Sequence, residues 1–95
     1  MTINQLIHDK REAILRLAAE HGATQVGVFG SVARGEATDD SDIDFCVQFR
    51  DGASMFDAVG LWQDLSALLN RKVDLVTLGA DEQFDKRIAR DIVLL

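Results

Sequence analysis

Two aspartates, Asp42 and Asp44, lie two residues apart in a stretch where polar and apolar residues alternate. Because successive side chains of a strand point to opposite faces, residues two apart share a face, and this spacing predicts neighbouring carboxylates. Such a pair repels itself unless a cation lies between its members. Oxygen ligands without histidine or cysteine suit Mg²⁺, which proteins usually hold through one or two carboxylates and the phosphates of a substrate.

A third acid, Asp74, lies inside the apolar run 73–76. Taken alone, Asp74 could equally be an exposed acid on an edge strand. On a strand adjacent to Asp42 and Asp44, however, it would complete a two-metal site for in-line phosphoryl chemistry. We therefore predict that these three aspartates are both the catalytic residues and the metal ligands.

The dipeptide Gly30-Ser31 stands ten residues before the aspartate pair. Glycine lets the backbone approach a phosphate closely, and exposed N–H groups and a serine hydroxyl can bind its oxygens. The dipeptide alone is unspecific, but the later acids at this spacing make it a predicted nucleotide-binding turn. Arg34 is a further candidate for phosphate contact, although an ion pair with Glu36 in the same loop explains it equally well.

The elements that must position these residues follow from the apolar pattern. An N-terminal helix is expected between a Thr2–Gln5 capping box and Gly22, and a polar turn over 31–41. Further helices are predicted over 54–70 and 81–91, and strands over 24–29, 42–49 and 72–78. The first two strands are expected to be antiparallel, because their connection is too short for a crossover helix. The order predicts one α/β (α+β) domain, residues 1–95, with a mixed sheet of three or slightly more strands backed by about four helices.

Two other side chains receive structural interpretations. Trp62 is expected in the core, on a helix stripe with Ala58, Leu65 and Leu69. Cys46 is expected to be a small buried filler, because no soft-metal site surrounds it.

Composition limits the classes of function. The 95 residues carry a net charge of −6, which argues against stable nucleic-acid binding, since that requires a positive surface. One cysteine allows no internal disulfide and suits a reducing compartment. Because the sequence shows neither a signal peptide nor a membrane-spanning run, a cytoplasmic protein without membrane association is expected.

The run Phe29–Ala37 followed by Ser41–Asp44 closely resembles the signature of the DNA polymerase β-like nucleotidyltransferase superfamily. Segments 72–76 and 87–90 are also similar to the family, and the chain has the length of its short members, the minimal nucleotidyltransferases. The family often has a proline before the aspartate pair, where this chain has Asp39 or Asp40. That departure concerns the turn and none of the ligands.

The resemblance implies roles for the residues singled out above. Gly30 and Ser31 would contact the triphosphate of ATP, and Asp42 and Asp44 would bind two Mg²⁺ ions, with Mn²⁺ as a substitute. Asp74 would complete the site near the acceptor hydroxyl. The implied activity is Mg²⁺-dependent nucleotidyl transfer within the polymerase β-like fold.

The resemblance also implies a partner. Many family members are antitoxins encoded beside a HEPN-type ribonuclease toxin, and some add AMP to a toxin tyrosine. We therefore expect a protein adenylyltransferase of a toxin–antitoxin system, working in a homo- or hetero-oligomer, since the chain has no room for a domain that presents the acceptor. Two alternatives stay open: a non-catalytic antitoxin that occludes its partner, and a nucleotidyltransferase acting on a small molecule.

Overall fold

The computed structural model describes residues 2–79 and 82–95, which form five helices and four strands. The helices are α1 (Ile3–Asp9), α2 (Arg11–Glu20), α3 (Gly30–Ala33), α4 (Met55–Leu69) and α5 (Glu82–Ile88). The strands are β1 (Ala23–Phe29), β2 (Ile43–Phe49), β3 (Val73–Thr77) and β4 (Val93–Leu94). Asp81, where the last helix was predicted to begin, lies outside the described residues. Within the described ranges no helix is both long and apolar enough to cross a membrane.

The N-terminal capping box is confirmed, but the helix behind it is interrupted. Gln5 N donates to Thr2 Oγ1 at 3.1 Å, and Thr2 N donates to Gln5 Oε1 at 2.9 Å. The prediction of one helix reaching Gly22 is wrong, because the chain turns at Lys10 (φ −99°, ψ 8°) and divides it into α1 and α2. The turn falls in the charged run 9–12, which offers no apolar side chain to pack a continuous helix against the sheet.

The sheet is mixed and four-stranded, in the order β3-β2-β1-β4. β1 is antiparallel to β2, as predicted, and also to β4, whereas β2 and β3 are parallel. The sequence did not indicate β4, which pairs through only two residues with Gly27 and Val28. A strand of two residues is too short to show an alternating pattern, so the sequence suggested only an apolar tail there.

The core lies between one face of the sheet and the helices. Ile43, Phe45 and Val47 of β2 have no exposed surface, and they pack with buried side chains of α1, α2 and α4. The fully buried members are Ile14, Ile43, Phe45, Val47, Leu61, Leu65, Leu69 and Val73. Cys46, on the opposite face of β2, is also fully buried, which confirms its interpretation as a filler.

Helix α4 begins and ends at well-formed caps. Ser54 Oγ accepts a hydrogen bond from the N–H of Phe56 at 3.2 Å, and Asn70 closes the helix with a left-handed conformation (φ 50°). The predicted core position of Trp62 is wrong, because 44% of its surface is exposed. The buried stripe of α4 includes the preceding residue, Leu61, instead of Trp62, and continues through Leu65 and Leu69.

Candidate active site

Three strands bring the predicted site residues to one edge of the sheet. Phe29, the last residue of β1, is paired with Asp44, and Asp44 is paired with Asp74 across the parallel β2–β3 ladder. The end of the antiparallel β1 therefore meets the beginnings of β2 and β3. The turn at Gly30, the acid of β2 and the acid of β3 follow one another across this edge.

Asp44 and Asp74 form a close carboxylate pair. They occupy the same register position on neighbouring strands, so their side chains lie on the same face. Burial raises the pKa of Asp44 above its ordinary value, and the negative charges of Asp74 and Asp42 add to that rise, while Arg34 opposes it. The pair thus concentrates negative charge that a cation would relieve.

Asp42 lies just before β2 and contacts a lysine. Its Oδ2 is 3.5 Å from Nζ of Lys72, and the two residues meet where Ile43 N donates to the carbonyl of Lys72 at 3.0 Å. In this conformation the described residues contain no group of three histidine, cysteine or acidic side chains arranged to hold a metal ion. The roles of Asp42, Asp44 and Asp74 as metal ligands therefore stay predictions.

The donor set nevertheless suits Mg²⁺. Two adjacent carboxylates with a third acid two residues before one of them provide hard oxygen ligands. The raised pKa of Asp44 has like-charge repulsion among its causes. Lys72 supplies a positive charge to Asp42 from an exposed, flexible side chain, which a bound cation could displace.

Gly30 is required by its contact with Asp44. It has a left-handed conformation (φ +69°), and a Cβ built on it would overlap Oδ2 of Asp44. Only glycine therefore allows the backbone to lie against this carboxylate. Ser31 lies in α3, which is a single helical turn. The rest of the polar segment, to residue 41, contains turns and no further helix or strand, as predicted. Phosphate binding by Gly30 and Ser31 stays a prediction.

Arg34 takes part in two ion pairs at the rim of the site. Its Nε lies 3.3 Å from Glu36 Oε2, as the alternative interpretation expected, and its Nη1 lies 3.7 Å from Asp91 Oδ2. The side chain is about half exposed and close enough to Asp44 to lower its pKa. A contact of Arg34 with the nucleotide stays a prediction.

Sequence reasoning missed two residues of this region, Lys72 and Trp62. Lys72 precedes β3 directly, and a base next to a strand that carries one of three predicted acids was an available signal. Trp62 Nε1 donates to the carbonyl of Val73 at 2.6 Å, so the indole lies beside the strand position that precedes Asp74. Tracing the four-residue spacing of Leu61, Leu65 and Leu69 would have put Trp62 at the border of the buried stripe.

Comparison with known proteins gives consistent matches. Residues 10–94 match the family model described as a nucleotidyltransferase domain. A protein adenylyltransferase (MntA) of Thermococcus cleftensis is 38% identical over 78 residues, covering 81% of this chain and 79% of the relative. A Methanocaldococcus jannaschii protein assigned as a protein adenylyltransferase is 36% identical over 80 residues, covering 84% of this chain and 82% of that protein.

Solved structures agree with these relatives. A protein assigned as a minimal nucleotidyltransferase superposes with a TM-score of 0.88 at 41% identity, covering all of this chain and 97% of the other. A toxin–antitoxin structure with AMP-PNP superposes with a TM-score of 0.75 at 26% identity, covering 87% of this chain and 69% of that one.

Proposed function

Because this chain belongs to the nucleotidyltransferase domain family, we propose that it is a protein adenylyltransferase that transfers AMP from ATP to a partner protein. We propose further that the acceptor is a tyrosine hydroxyl of a HEPN-type toxin, which the transfer neutralises. The observation that carries the proposal is the meeting of Asp44, Asp74 and the Gly30 turn at one sheet edge. Relatives named as protein adenylyltransferases, at 36–38% identity, support a protein as the acceptor.

The toxin partner is supported by a solved structure. The toxin–antitoxin structure with AMP-PNP has this fold at 26% identity, which favours an antitoxin role and a hetero-oligomer. In this proposal the acceptor hydroxyl belongs to the partner chain.

The proposed reaction exchanges one phosphorus–oxygen bond for another and transfers one proton. The acceptor oxygen bonds to the α-phosphorus of ATP, the bond from that phosphorus to the bridging oxygen of the β-phosphate breaks, and pyrophosphate leaves. In the proposed arrangement Gly30 and Ser31 hold the distal phosphates through backbone N–H groups and the serine hydroxyl. Asp74 orients the acceptor hydroxyl and receives its proton.

Metal ions belong to this proposal as cofactors. Asp42, Asp44 and Asp74 would hold two Mg²⁺ ions, or Mn²⁺, which would supply charge stabilisation for the attacking and leaving oxygens. The carboxylates also act through their negative charge. They exclude other anions from the sheet edge, so a triphosphate approaches only when their charge is screened.

The test is intact-mass spectrometry of a HEPN-type partner, encoded beside this protein, after incubation with ATP and Mg²⁺. We expect added mass in multiples of one AMP group, and no addition with Asp44→Asn or Asp74→Asn. Because these acids act as a unit, Asp42→Asn combined with Asp44→Asn should be scarcely worse than either change alone. A partner that is neutralised equally well by the double variant, without gaining mass, would instead establish a non-catalytic antitoxin.

A further inference from the structure

A cavity of about 390 Å³ opens beside Asp74, on the side of β3 that is away from the Gly30 turn. Its walls are apolar and come from α4 and β3. The lining residues are Ala58, Val59, Trp62, Asp74 and Leu75. Asp74 is the one charged residue among them. Val59 and Trp62 are each 44% exposed, so a visiting side chain would cover apolar surface that now faces water.

The aromatic wall of this cavity is held in place by a hydrogen bond. Trp62 Nε1 donates to the carbonyl of Val73 at 2.6 Å, and Val73 is the residue before Asp74. The polar atom of the indole is therefore satisfied within the protein, and the remaining ring surface is apolar. The hydrogen bond therefore anchors the indole to the strand that carries Asp74.

In-line displacement decides which reactant enters from this side. The attacking and leaving oxygens must lie on opposite sides of the phosphorus. Across the sheet edge the order is the Gly30 turn, Asp44, Asp74 and then the cavity. If pyrophosphate leaves at Gly30 and Ser31, the acceptor must arrive from the side of Asp74 and the cavity.

We propose that this cavity is the acceptor subsite and that it selects a tyrosine side chain of the partner protein. This inference rests on the function proposed above. The phenol ring packs against Trp62 and Val59, and its hydroxyl donates to Asp74. A neutral ring with a hydrogen-bond donor at its tip complements an apolar cavity whose one charged lining residue is an acid, whereas an acidic group would be repelled. Serine and threonine side chains have too little apolar surface to fill the cavity.

The chain offers a direct probe, because Trp62 is its only tryptophan and it contains no tyrosine. Trp62 fluorescence, excited where tyrosine does not absorb, is measured while N-acetyl-L-tyrosinamide or N-acetyl-L-threoninamide is added. We expect a saturable change with the tyrosine compound only, weakened several-fold by Val59→Gln. Phe56→Gln is the matched control, since Phe56 is 87% exposed on the same helix but does not line the cavity. Equal responses to both compounds, or none to either, would overturn the proposal.

Transfer kinetics supply the second measurement. With a partner protein that the wild type modifies, Val59→Gln and Trp62→Leu should lower kcat/KM for the protein acceptor about ten-fold, the factor for loss of an aromatic contact. The KM for ATP should not change. A raised KM for ATP with unchanged acceptor kinetics would assign the cavity to the nucleobase and refute the proposal. A wild type that modifies no protein would contradict the proposed function, while the fluorescence titration would still decide what the cavity binds.

Discussion

Replacing Gly30 with alanine tests two contributions of this residue separately. One is its contribution to the folding free energy, and the other is its effect on the position of the Asp44 carboxylate. The left-handed conformation (φ +69°) costs an alanine about 1–2 kcal/mol of folding free energy. The new Cβ would also overlap Oδ2 of Asp44, with Cγ at 3.4 Å, so the carboxylate must rotate away. Because that oxygen is the end of a short side chain, the rotation adds little to the loss of stability. The rotation does, however, move the carboxylate of Asp44 relative to that of Asp74.

We therefore expect a modest stability loss and a large activity loss. Misplacement of a reacting group by about 1 Å can cost about 100-fold in rate, so AMP transfer by Gly30→Ala should fall by about that factor. Urea unfolding measures the first quantity, and mass spectrometry of the modified partner measures the second. At about 4–8 °C per kcal/mol, the melting temperature should fall by about 4–16 °C.

Gly35→Ala is the matched control for this experiment. Gly35 has nearly the same conformation (φ +73°), but nothing lies within 4 Å of a Cβ built there. It should lose a similar amount of stability while keeping its transfer activity. If Gly30→Ala retained wild-type transfer at the same stability as Gly35→Ala, contact with Gly30 would not determine the position of Asp44.

Three further outcomes are expected. Asp42→Asn should change the unfolding free energy of the metal-free protein by less than about 1 kcal/mol, since its pair with Lys72 is largely exposed; a large fall in melting temperature would make Asp42 a structural residue. ATP should bind only with Mg²⁺ or Mn²⁺, so equal calorimetric affinity in EDTA would reject the metal-site model. Burial raises the pKa of the Cys46 thiol, so at neutral pH a maleimide should label the native protein far more slowly than the urea-unfolded chain; equal labelling rates would contradict its burial.

The positions of Asp44 and Asp74 on strands could be predicted because they depend on local periodicity. Alternation in 42–49 identifies a strand, and an acid in the apolar run 73–76 is conspicuous. The structure confirms that Asp44 and Asp74 face each other across adjacent strands. A pattern of period two fixes which residues share a face within one strand, whereas the pairing of Asp44 with Asp74 also depends on the register of β2 and β3.

Other features depend on contacts that periodicity does not encode. The turn at Lys10 reflects how two helical segments pack separately, and β4 exists only because β1 offers it a partner. The exposure of Trp62 depends on a small rotation of α4 about its axis. The contact of Asp42 with Lys72 depends on the conformers of the two side chains, which the sequence pattern does not determine.

Asp44 and Asp74 lie on strands that join the sheet through different connections. This difference sets the order in which the acid pair forms during folding. β1 and β2 are consecutive in the chain, whereas β3 reaches β2 only after α4 has crossed the sheet. Parallel pairing across such a crossover is non-local and forms more slowly than the pairing of consecutive strands. A chain that has joined only β1 and β2 has Gly30 against Asp44 but lacks Asp74. The acid pair therefore exists only in molecules in which β3 has joined the sheet.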